Sequence, residues 1–338
     1  MESLAVKYRP KRFDEVCSQK SIIKTLERQL DLHQFVNCYL FSGASGCGKT
    51  TIARIFANMI NNFQGTPIEI DAASNNGVDS IREIVDNANA RSLDSEYKIY
   101  IIDECHMLTI QSWNAFLKCI EEPPKYTIFM FCTTDAQKIP ATIINRVMRF
   151  NLTKVNQEEI KNRLEYVCEQ EHFTNYNETI DYISKLCNGG MRDALAFLDK
   201  CSGYSSDLCI QNALKVLGNF SYDSMFTLTN AIIDNNENDI CTIIEDYYNN
   251  GNDLKLFIEQ YLDFILDLTK YYIFNNLEIL KIPQLYSKDI RYTTGIDNNK
   301  KYFSWLCDRV LMIKNSIKND SNARTTIIVM LLQISRGV

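Results

Sequence analysis

The sequence predicts an α/β domain built on a parallel sheet, followed by a small helical domain and then an all-α domain. Over the first ~150 residues, short apolar runs alternate with helical segments, which is typical of a parallel sheet covered by helices. Beyond about Val155 the strand-like runs stop and only helical patterns follow. This change of pattern predicts a domain boundary near residue 155.

Each predicted element depends on its own local pattern. Five short, mostly apolar runs are predicted as strands, namely Cys38–Ser42, Ile68–Asp71, Lys98–Asp103, Thr127–Thr133 and Val147–Asn151. Apolar residues at helical spacing predict helices, among them Thr50–Ile60, Gln157–Cys168, Glu178–Leu186, Met191–Cys201 and Asp207–Val216. Asn188, Gly189 and Gly190 predict a helix end followed by a turn. From Ser221 onward the pattern stays helical, with a break at Gly251.

Length and composition fit a protein of several domains that does not interact with a membrane. The chain has 338 residues, which suits two or three domains, and 46% of them are hydrophobic, which is enough for several cores. The most apolar stretch, Leu254–Phe274, is interrupted by charges such as Asp263 and Lys270, so we expect no membrane span. No apolar run follows the basic N-terminus, so we expect no signal peptide.

The cysteines and the net charge limit which cellular compartments and which partners suit this chain. The 12 cysteines include no C-x-x-C pair, which excludes the usual zinc spacings and fits free thiols in a reducing cytoplasm. The net charge of -6 argues against a protein coated with nucleic acid on every face. It still allows a local basic strip that contacts DNA phosphates.

Residues 43–50 read Gly-Ala-Ser-Gly-Cys-Gly-Lys-Thr, which matches the phosphate-binding loop pattern G-x-x-x-x-G-K-T. The glycines let successive N–H groups turn toward a phosphate chain, and the following helix points its N-terminus at the same place. Lys49 is expected to reach the outer phosphates and Thr50 to hold Mg²⁺. The residues expected to bind nucleotide here are Gly43, Ala44, Ser45, Gly46, Cys47, Gly48, Lys49, Thr50 and Thr51.

A second motif, Lys98–His106, ends an apolar run with two acids. A buried parallel strand would carry these acids to the carboxyl edge of the sheet, where ligands collect. Asp103 would then hold the Mg²⁺ shell, and Glu104 would orient and deprotonate an attacking water. The competing interpretation is a pair of solvated acids that open the next helix. His106 is interpreted as a packing or hydrogen-bonding residue rather than as a catalyst.

Three further residues are candidates for contact with a bound nucleotide. Thr134 follows an apolar strand and could hydrogen-bond the γ-phosphate or the water, or it could simply bond its own turn. Arg146 follows an apolar pair and is either a solvated charge or an arginine finger supplied to a neighbouring subunit. Arg192 begins a helix after two glycines and could reach the nucleotide, although Asp193 beside it also fits a local helix-start role.

Eight segments form a joint pattern, at Lys7–Val16, Gly43–Thr50, Glu69–Arg82, Ile101–Leu108, Asn114–Pro124, Thr133–Pro140, Gly189–Leu195 and Gly251–Phe274. Together they resemble the gamma/tau family of bacterial DNA polymerase III, the ATP-hydrolysing motors of the sliding-clamp loader. The resemblance covers nearly the whole chain and weakens toward its end. It implies three domains, namely an AAA+ P-loop domain with a parallel sheet at residues 1–155, a small helical lid domain at 156–218 and an all-α collar domain at 219–338.

The resemblance also implies a role for each matching position. Lys49 and Thr50 match the family's P-loop lysine and Mg²⁺ ligand, so that ATP and Mg²⁺ are the expected substrate and cofactor. Thr134 and Arg192 match the two sensor residues, and Arg146 matches the arginine finger that acts in trans. Three further residues, Tyr8, Arg9 and Val16, lie in segments that form the adenine pocket in such proteins.

As a clamp-loader motor, the chain would use ATP binding to assemble and open a sliding clamp, and primer–template DNA would trigger hydrolysis and clamp release. The implied partners are other loader subunits in a pentameric homo- or hetero-oligomeric ring, the clamp, and DNA bound without sequence preference. The implied compartment is the cytoplasm of a bacterial or phage-infected cell. Ser80 and Arg82, on a helix starting near Gly77, are expected to contact DNA, with plain solvation as the alternative.

Three features depart from the family's pattern. The finger motif reads Asn145-Arg146-Val147 instead of Ser-Arg-Cys, which keeps the charge and changes both flanks. The family's four-cysteine zinc insert is replaced by the short linker Asn61–Pro67, so we expect no zinc. The sequence stops at Val338 without the long extension of the tau form, which suggests either a compact version, such as one encoded by a phage, or a truncation.

Two other functions remain open at this stage. The chain could be an AAA+ ATPase of another DNA-processing branch, such as a branch-migration motor or a recombination factor. It could also be a non-hydrolysing scaffold subunit of the loader. The complete set of Lys49, Thr50, Asp103 and Glu104 argues against a scaffold.

Overall fold

A computed structural model describes residues 2–217, 221–296, 302–320 and 322–337. The chain divides into two compact units, one made of residues 1–171 and 183–199 and the other of residues 172–182 and 200–338. The three-domain boundaries expected from the sequence are a different partition, and they stay a prediction.

The first unit contains a sheet and most of the helices that cover it. Its strands are β1 (Cys38–Ser42), β2 (Ile68–Asp71), β3 (Lys98–Asp103), β4 (Thr127–Thr133) and β5 (Met148–Asn151). Its helices are α1 (Leu4–Lys7), α2 (Lys20–Leu32), α3 (Lys49–Ile60), α4 (Val78–Ala88), α5 (Ile110–Glu121), α6 (Ala141–Ile144) and α7 (Gln157–Gln170). Helices α8 (Asn177–Leu186) and α9 (Met191–Tyr204) each contribute part of their length to this unit.

Among the described residues, five strands form one sheet in the order β2-β3-β4-β1-β5, and every pairing is parallel. The central strands β1 and β4 are buried along their whole length, which explains their continuous apolar sequences. Alternate side chains of β1 enter two different cores, with Tyr39 and Phe41 on one face and Leu40 on the other. Helices α2 and α3 cover the first face, and α4 and α5 cover the second.

The second unit is entirely helical among the residues that the structure describes. Beyond the parts of α8 and α9, its helices are α10 (Ile210–Leu217), α11 (Tyr222–Ile233), α12 (Glu237–Asn249), α13 (Leu254–Phe274), α14 (Ser287–Ile296), α15 (Tyr302–Ile317) and α16 (Ala323–Ser335). Buried aromatic and aliphatic residues of α11 to α16 form one core. No helix within the described ranges has both the length and the apolarity needed to span a membrane.

A buried carboxylate fixes the chain between α13 and α14. Asp267 is 1% exposed, and its carboxylate accepts hydrogen bonds from the backbone N–H groups of Lys281 and Ile282 and from Lys270 Nζ at 2.8 Å. Because the charge is paired and hydrogen-bonded, its burial is tolerated. The interruption of the apolar stretch Leu254–Phe274 by this acid therefore has a structural cause.

The fold predicted from the sequence is confirmed, with small differences at the ends of some elements. Strand β5 begins at Met148 rather than Val147, and α7 and α9 continue beyond their expected last residues. The helix expected from Asp207 is wrong at its start, since α10 begins at Ile210. Asp207 instead forms a bridge with Thr174, and its N–H donates to Ser205 Oγ, so this residue lies in a turn.

Candidate active site

The carboxyl ends of three neighbouring strands bring the glycine-rich loop and the acidic pair together. β3 ends at Asp103, β4 ends at Thr133, and β1 ends at Ser42 directly before the glycine-rich loop. These strands are adjacent in the order β3-β4-β1. The connection from β1 crosses to the far edge of the sheet at β2, and ligands of open α/β sheets bind at such a reversal of strand order.

The glycine-rich loop, Gly43–Gly48, has backbone angles that only glycine adopts readily. Gly46 has φ of +72° and Gly48 has φ of +100°. Gly43 also has no room for a side chain, since a Cβ there would lie 2.6 Å from the carbonyl oxygen of Leu152. The loop leads directly into α3, whose N-terminal N–H groups therefore point toward any anion in the loop.

Lys49 is held inside the loop that precedes it. Its side chain is buried, with 6% of the residue exposed, and Nζ donates to the carbonyl oxygens of Gly43 at 3.0 Å and Ala44 at 2.9 Å. An ammonium has three N–H donors, so two contacts fix its position and a third remains for a phosphate oxygen. This geometry is suited to a phosphate-binding lysine.

Thr50 and Asp103 meet across the gap between α3 and β3. Thr50 Oγ1 donates to Asp103 Oδ2 at 2.8 Å, and Asp103 Oδ1 accepts the backbone N–H of Glu104 at 3.0 Å. A hydroxyl and a carboxylate are oxygen ligands of the kind that Mg²⁺ prefers together with phosphate oxygens, so this pair fits the expected cation.

No zinc was expected from the sequence, and this stays a prediction. Within the described parts of the chain, no three His, Cys, Asp or Glu side chains are grouped so that they could hold a metal ion by themselves. The linker between α3 and β2 runs from Asn61 to Pro67.

Glu104 lies in a strained backbone conformation beside two hydrogen-bond donors. Its φ is 45°, in the left-handed region that non-glycine residues rarely adopt. Thr134 Oγ1 donates to its Oε2 at 3.1 Å, and His106 Nδ1 lies 3.2 Å from the same oxygen. Thr134 therefore reaches the acid that the sequence assigns as the base, and His106 contacts it as well.

A pocket opens beside the loop and contains the expected adenine residues. It encloses about 970 Å³ when the part open to solvent is counted. Its lining includes residues 45–51, Asp103, Glu104, Arg192, and the three residues expected around adenine, Tyr8, Arg9 and Val16. Seven further lining residues were not expected from the sequence, namely Ala5, Pro10, Cys17, Val155, Arg163, Met191 and Leu195.

The N-terminal side of the pocket is attached to α7. Arg163 Nη2 donates to the carbonyl oxygen of Tyr8 at 2.9 Å, and the Tyr8 hydroxyl donates to Glu171. Burial, followed by the contact with Glu171, raises the pKa of Tyr8 to about 12, so its hydroxyl stays protonated at neutral pH. Lys7 also pairs with Glu171, at 2.5 Å. No motif marks Arg163, because only packing brings it to the pocket.

Arg192 is the second residue of α9 and lies at the pocket. The preceding turn is tied to the loop, since the Met191 N–H donates to the carbonyl oxygen of Gly46 at 3.0 Å. Gly189 has φ of +87°, as expected for a residue that ends a helix. The sensor role of Arg192 stays a prediction.

Cys47 is the cysteine inside the loop, and it is 2% exposed. Burial raises the pKa of its thiol, and the nearby Lys49 ammonium lowers it by a smaller amount. The thiol is therefore protonated and packed against the sheet core at neutral pH.

Arg146 lies outside the pocket of its own chain. Its side chain is 41% exposed, with Nη2 2.8 Å from Glu121 Oε1 and Nη1 donating to the carbonyl oxygen of Thr142 at 2.7 Å. The structure thus does not bring Arg146 to the nucleotide residues of the same chain. Its role as a finger in trans stays a prediction.

The two expected DNA-contacting residues lie on α4. Ser80 and Arg82 are both exposed, and Arg82 Nη1 lies 3.3 Å from Asp79 Oδ1. An exposed pair of this kind agrees equally with the solvated-charge interpretation. Their contact with DNA remains a prediction.

The sheet order, the phosphate-binding loop and the acidic pair define a nucleotide-binding protein of the AAA+ class. Structures of Thermotoga maritima RuvB, one of them described as a Holliday junction branch migration motor, share this fold. That structure superposes with a TM-score of 0.53 over 67% of this chain and 79% of the RuvB chain, at 18% sequence identity. The low identity limits this likeness to the fold.

Sequence relatives identify the family within that class. The family described as "DNA polymerase III, delta subunit" matches residues 66–156. DNA polymerase III subunit tau of Bacillus subtilis is 36% identical over 287 residues, covering 78% of this chain and 51% of that protein. DNA polymerase III subunit gamma of Buchnera aphidicola subsp. Schizaphis graminum is 32% identical over 334 residues, covering 91% of each.

The chain therefore belongs to the gamma/tau family of DNA polymerase III subunits. It spans about half the length of relatives such as the tau subunit of Bacillus subtilis. It spans nearly all of the gamma subunit of Buchnera aphidicola.

Proposed function

We propose that this chain is the ATP-hydrolysing motor subunit of a sliding-clamp loader that serves a replicative DNA polymerase. The observation that carries the proposal is the arrangement of Lys49, Thr50, Asp103 and Glu104 at one edge of the sheet, with Glu104 held by Thr134. Membership of the gamma/tau family supports the same activity.

In this proposal each residue contributes positioning or charge rather than covalent chemistry. The inward N–H groups of the loop and the Lys49 ammonium bind the phosphates of ATP. Thr50 and Asp103 would hold Mg²⁺, which neutralises charge on the phosphates when it is bound. Glu104 accepts the proton of the attacking water, and Thr134 orients the Glu104 carboxylate. Tyr8, Arg9 and Val16 enclose the adenine.

The second half of the proposed site comes from a neighbouring subunit. Arg146 of one protomer would approach the triphosphate of the next and stabilise charge in the transition state. Its exposure and its position outside its own pocket support this assignment. We propose a pentameric ring with other loader subunits, in which ATP binding opens the clamp and primer–template DNA completes the alignment of the finger. The relatives are bacterial, which supports function in a bacterial cytoplasm.

Phosphate release by the full-length chain, with its loader partners, a sliding clamp and primed DNA, tests the proposal. Turnover should rise when clamp and primed DNA are present together. Glu104→Gln keeps the shape of the side chain and removes the base, so turnover should fall by roughly 10²–10⁴-fold while ATP still binds. Wild-type turnover in Glu104→Gln would refute the assignment of the base.

One observation favours an alternative function, that of a non-hydrolysing scaffold subunit. The family that matches residues 66–156 is described as a delta subunit. A scaffold would release no phosphate by itself, and Glu104→Gln would leave phosphate release by the assembled loader unchanged. An ATPase of another DNA-processing branch would hydrolyse ATP without responding to a clamp. The same assay therefore separates all three functions.

A further inference from the structure

His106 is the group at the active-site edge to which the proposed reaction assigns no role. It lies in the short 3₁₀ turn Cys105–Met107 that follows β3, and its side chain is 13% exposed. Its Nδ1 is 3.2 Å from Glu104 Oε2 and 3.2 Å from Thr133 Oγ1. The imidazole thus touches both the proposed base and the last residue of β4.

The chemistry of these neighbours fixes the direction of the hydrogen bond. An ionised carboxylate can only accept, so Nδ1 must carry a proton for its contact with Glu104 to be favourable. Thr133 Oγ1 also acts as an acceptor, since it receives the backbone N–H of Asp135 at 3.0 Å. With Nδ1 protonated, His106 donates its hydrogen bond to Thr133 Oγ1 and places the same N–H beside Glu104 Oε2.

Both polar contacts of Glu104 are made at one oxygen. Thr134 Oγ1 donates a hydrogen bond to Oε2 at 3.1 Å, and His106 Nδ1 lies 3.2 Å from the same oxygen. A hydrogen bond and a close polar contact at a single oxygen oppose rotation of the carboxylate about its last bond. The backbone of Glu104, at φ of 45°, is also confined to a small region of conformational space. The carboxylate is consequently held with Oε1 as its unrestrained acceptor.

We propose that His106 is a positioning residue for ATP hydrolysis, which holds Glu104 by Oε2 so that Oε1 accepts the proton of the attacking water. This inference rests on the proposed function, because it requires Glu104 to be the base. His106 itself does not touch the substrate. Its loss misplaces the base, and a misplacement of about 1 Å can lower turnover by about 10²-fold.

Three variants of His106 separate positioning from simple structural support. His106→Ala should lower kcat by about 10²-fold and leave the affinity for a fluorescent ATP analogue unchanged. In His106→Asn the amide nitrogen lies as many bonds from Cα as Nδ1 does, so this variant should recover most of the lost kcat. In His106→Gln the amide nitrogen corresponds to Nε2 instead, so this matched variant should stay slow.

The readout is steady-state phosphate release by the full chain in its loader assembly, with KM and kcat determined separately. Wild-type kcat in His106→Ala would overturn the inference, and so would equal recovery by His106→Asn and His106→Gln. Thermal unfolding of each variant shows whether the fold is intact. If His106→Ala fails to fold, the contrast between the two amide variants still decides the matter.

A double variant tests whether His106 acts through Glu104, and the single variant Glu104→Gln tests whether Glu104 is the base. If His106 acts through Glu104, then adding His106→Ala to Glu104→Gln should cause no further loss of kcat. A further loss of about 10²-fold would show that His106 acts by another route and would overturn the inference. If Glu104→Gln alone retains full turnover, the proposed base is wrong, and the role assigned to His106 falls with it.

Discussion

Lys49 and Arg146 are both cations that we assign to a triphosphate, and their surroundings in this chain are opposite. Lys49 is buried and fixed by two carbonyl oxygens of its own loop. Arg146 is exposed, and an equally exposed acid, Glu121, holds it at a surface outside the pocket. The loop side of the site is thus organised within one chain, while Arg146 lies outside the pocket of that chain. If Arg146 acts in trans as we propose, turnover depends on assembly.

Among the variants, we expect the largest effect on turnover from Arg146→Ala. ATP binding should persist, and turnover stimulated by DNA should fall by roughly 10³-fold, because the transition state loses a cation supplied by the neighbour. The measurement is phosphate release in the assembled loader, with ATP affinity measured separately. Arg149→Ala, a change at another exposed arginine, serves as the control and should be nearly neutral. Full turnover in Arg146→Ala would remove the trans site.

The loop side can be probed with Gly48→Ala. Gly48 has φ of +100°, and an added Cβ would meet nothing within 4 Å, so the cost comes from the backbone alone. We expect the free energy of unfolding to fall by about 1–2 kcal/mol. Urea denaturation of the full chain measures it.

Gly203→Ala is the control for adding a methyl group. Gly203 lies within α9, and a Cβ there would likewise meet nothing within 4 Å. This variant should be neutral or slightly stabilising, because alanine is favoured over glycine in a helix. Equal losses in the two variants would contradict the claim that the loop is organised by its backbone angles.

A smaller effect is expected from Glu121→Gln, which removes the charge that orients Arg146. An exposed ion pair contributes up to about 1 kcal/mol, so turnover in the assembly should fall by about 2–5-fold. Glu122→Gln changes the adjacent exposed acid and is the matched control. If both variants behave alike, Glu121 has no special part in presenting the finger.

The smallest effect concerns Cys47. Its burial and raised thiol pKa predict negligible alkylation by iodoacetamide at neutral pH, because the thiolate is the reactive form. Labelling should increase as the pH rises toward the raised pKa. Peptide mass spectrometry after timed labelling of the folded chain measures the rate. Labelling of folded Cys47 as fast as in urea would show that the loop opens readily, contrary to its assigned rigidity.

Much of the fold was predictable because the central strands are buried on both faces. The runs Cys38–Ser42 and Thr127–Thr133 are apolar throughout, and the structure gives β1 and β4 the same bounds. The edge strand β5 pairs only with β1, so its first residue is less constrained and the expected start was one residue early. The start of α10 was wrong because the bridge between Asp207 and Thr174 joins positions far apart in sequence.

The residues of the site likewise fall into two groups, those that the sequence predicts and those that only packing brings together. Lys49, Thr50, Asp103 and Glu104 are recognisable because their motif spacing is local. Arg163 and the contact of His106 with Glu104 depend on how α7 and the ends of β3 and β4 pack, and no local pattern encodes such packing. Arg146 occupies a recognisable motif position, but the triphosphate that we propose as its partner belongs to a neighbouring subunit.

The hydrogen bond from Met191 N–H to the Gly46 carbonyl oxygen joins two main-chain groups. Because neither group belongs to a side chain, point substitution cannot delete it without proline or a change of backbone path. Any displacement of the phosphate-binding loop must therefore either pull on the first turn of α9 or break this bond. Motion of the loop and motion of the first turn of α9 are thus coupled through a bond that does not depend on the identity of a side chain.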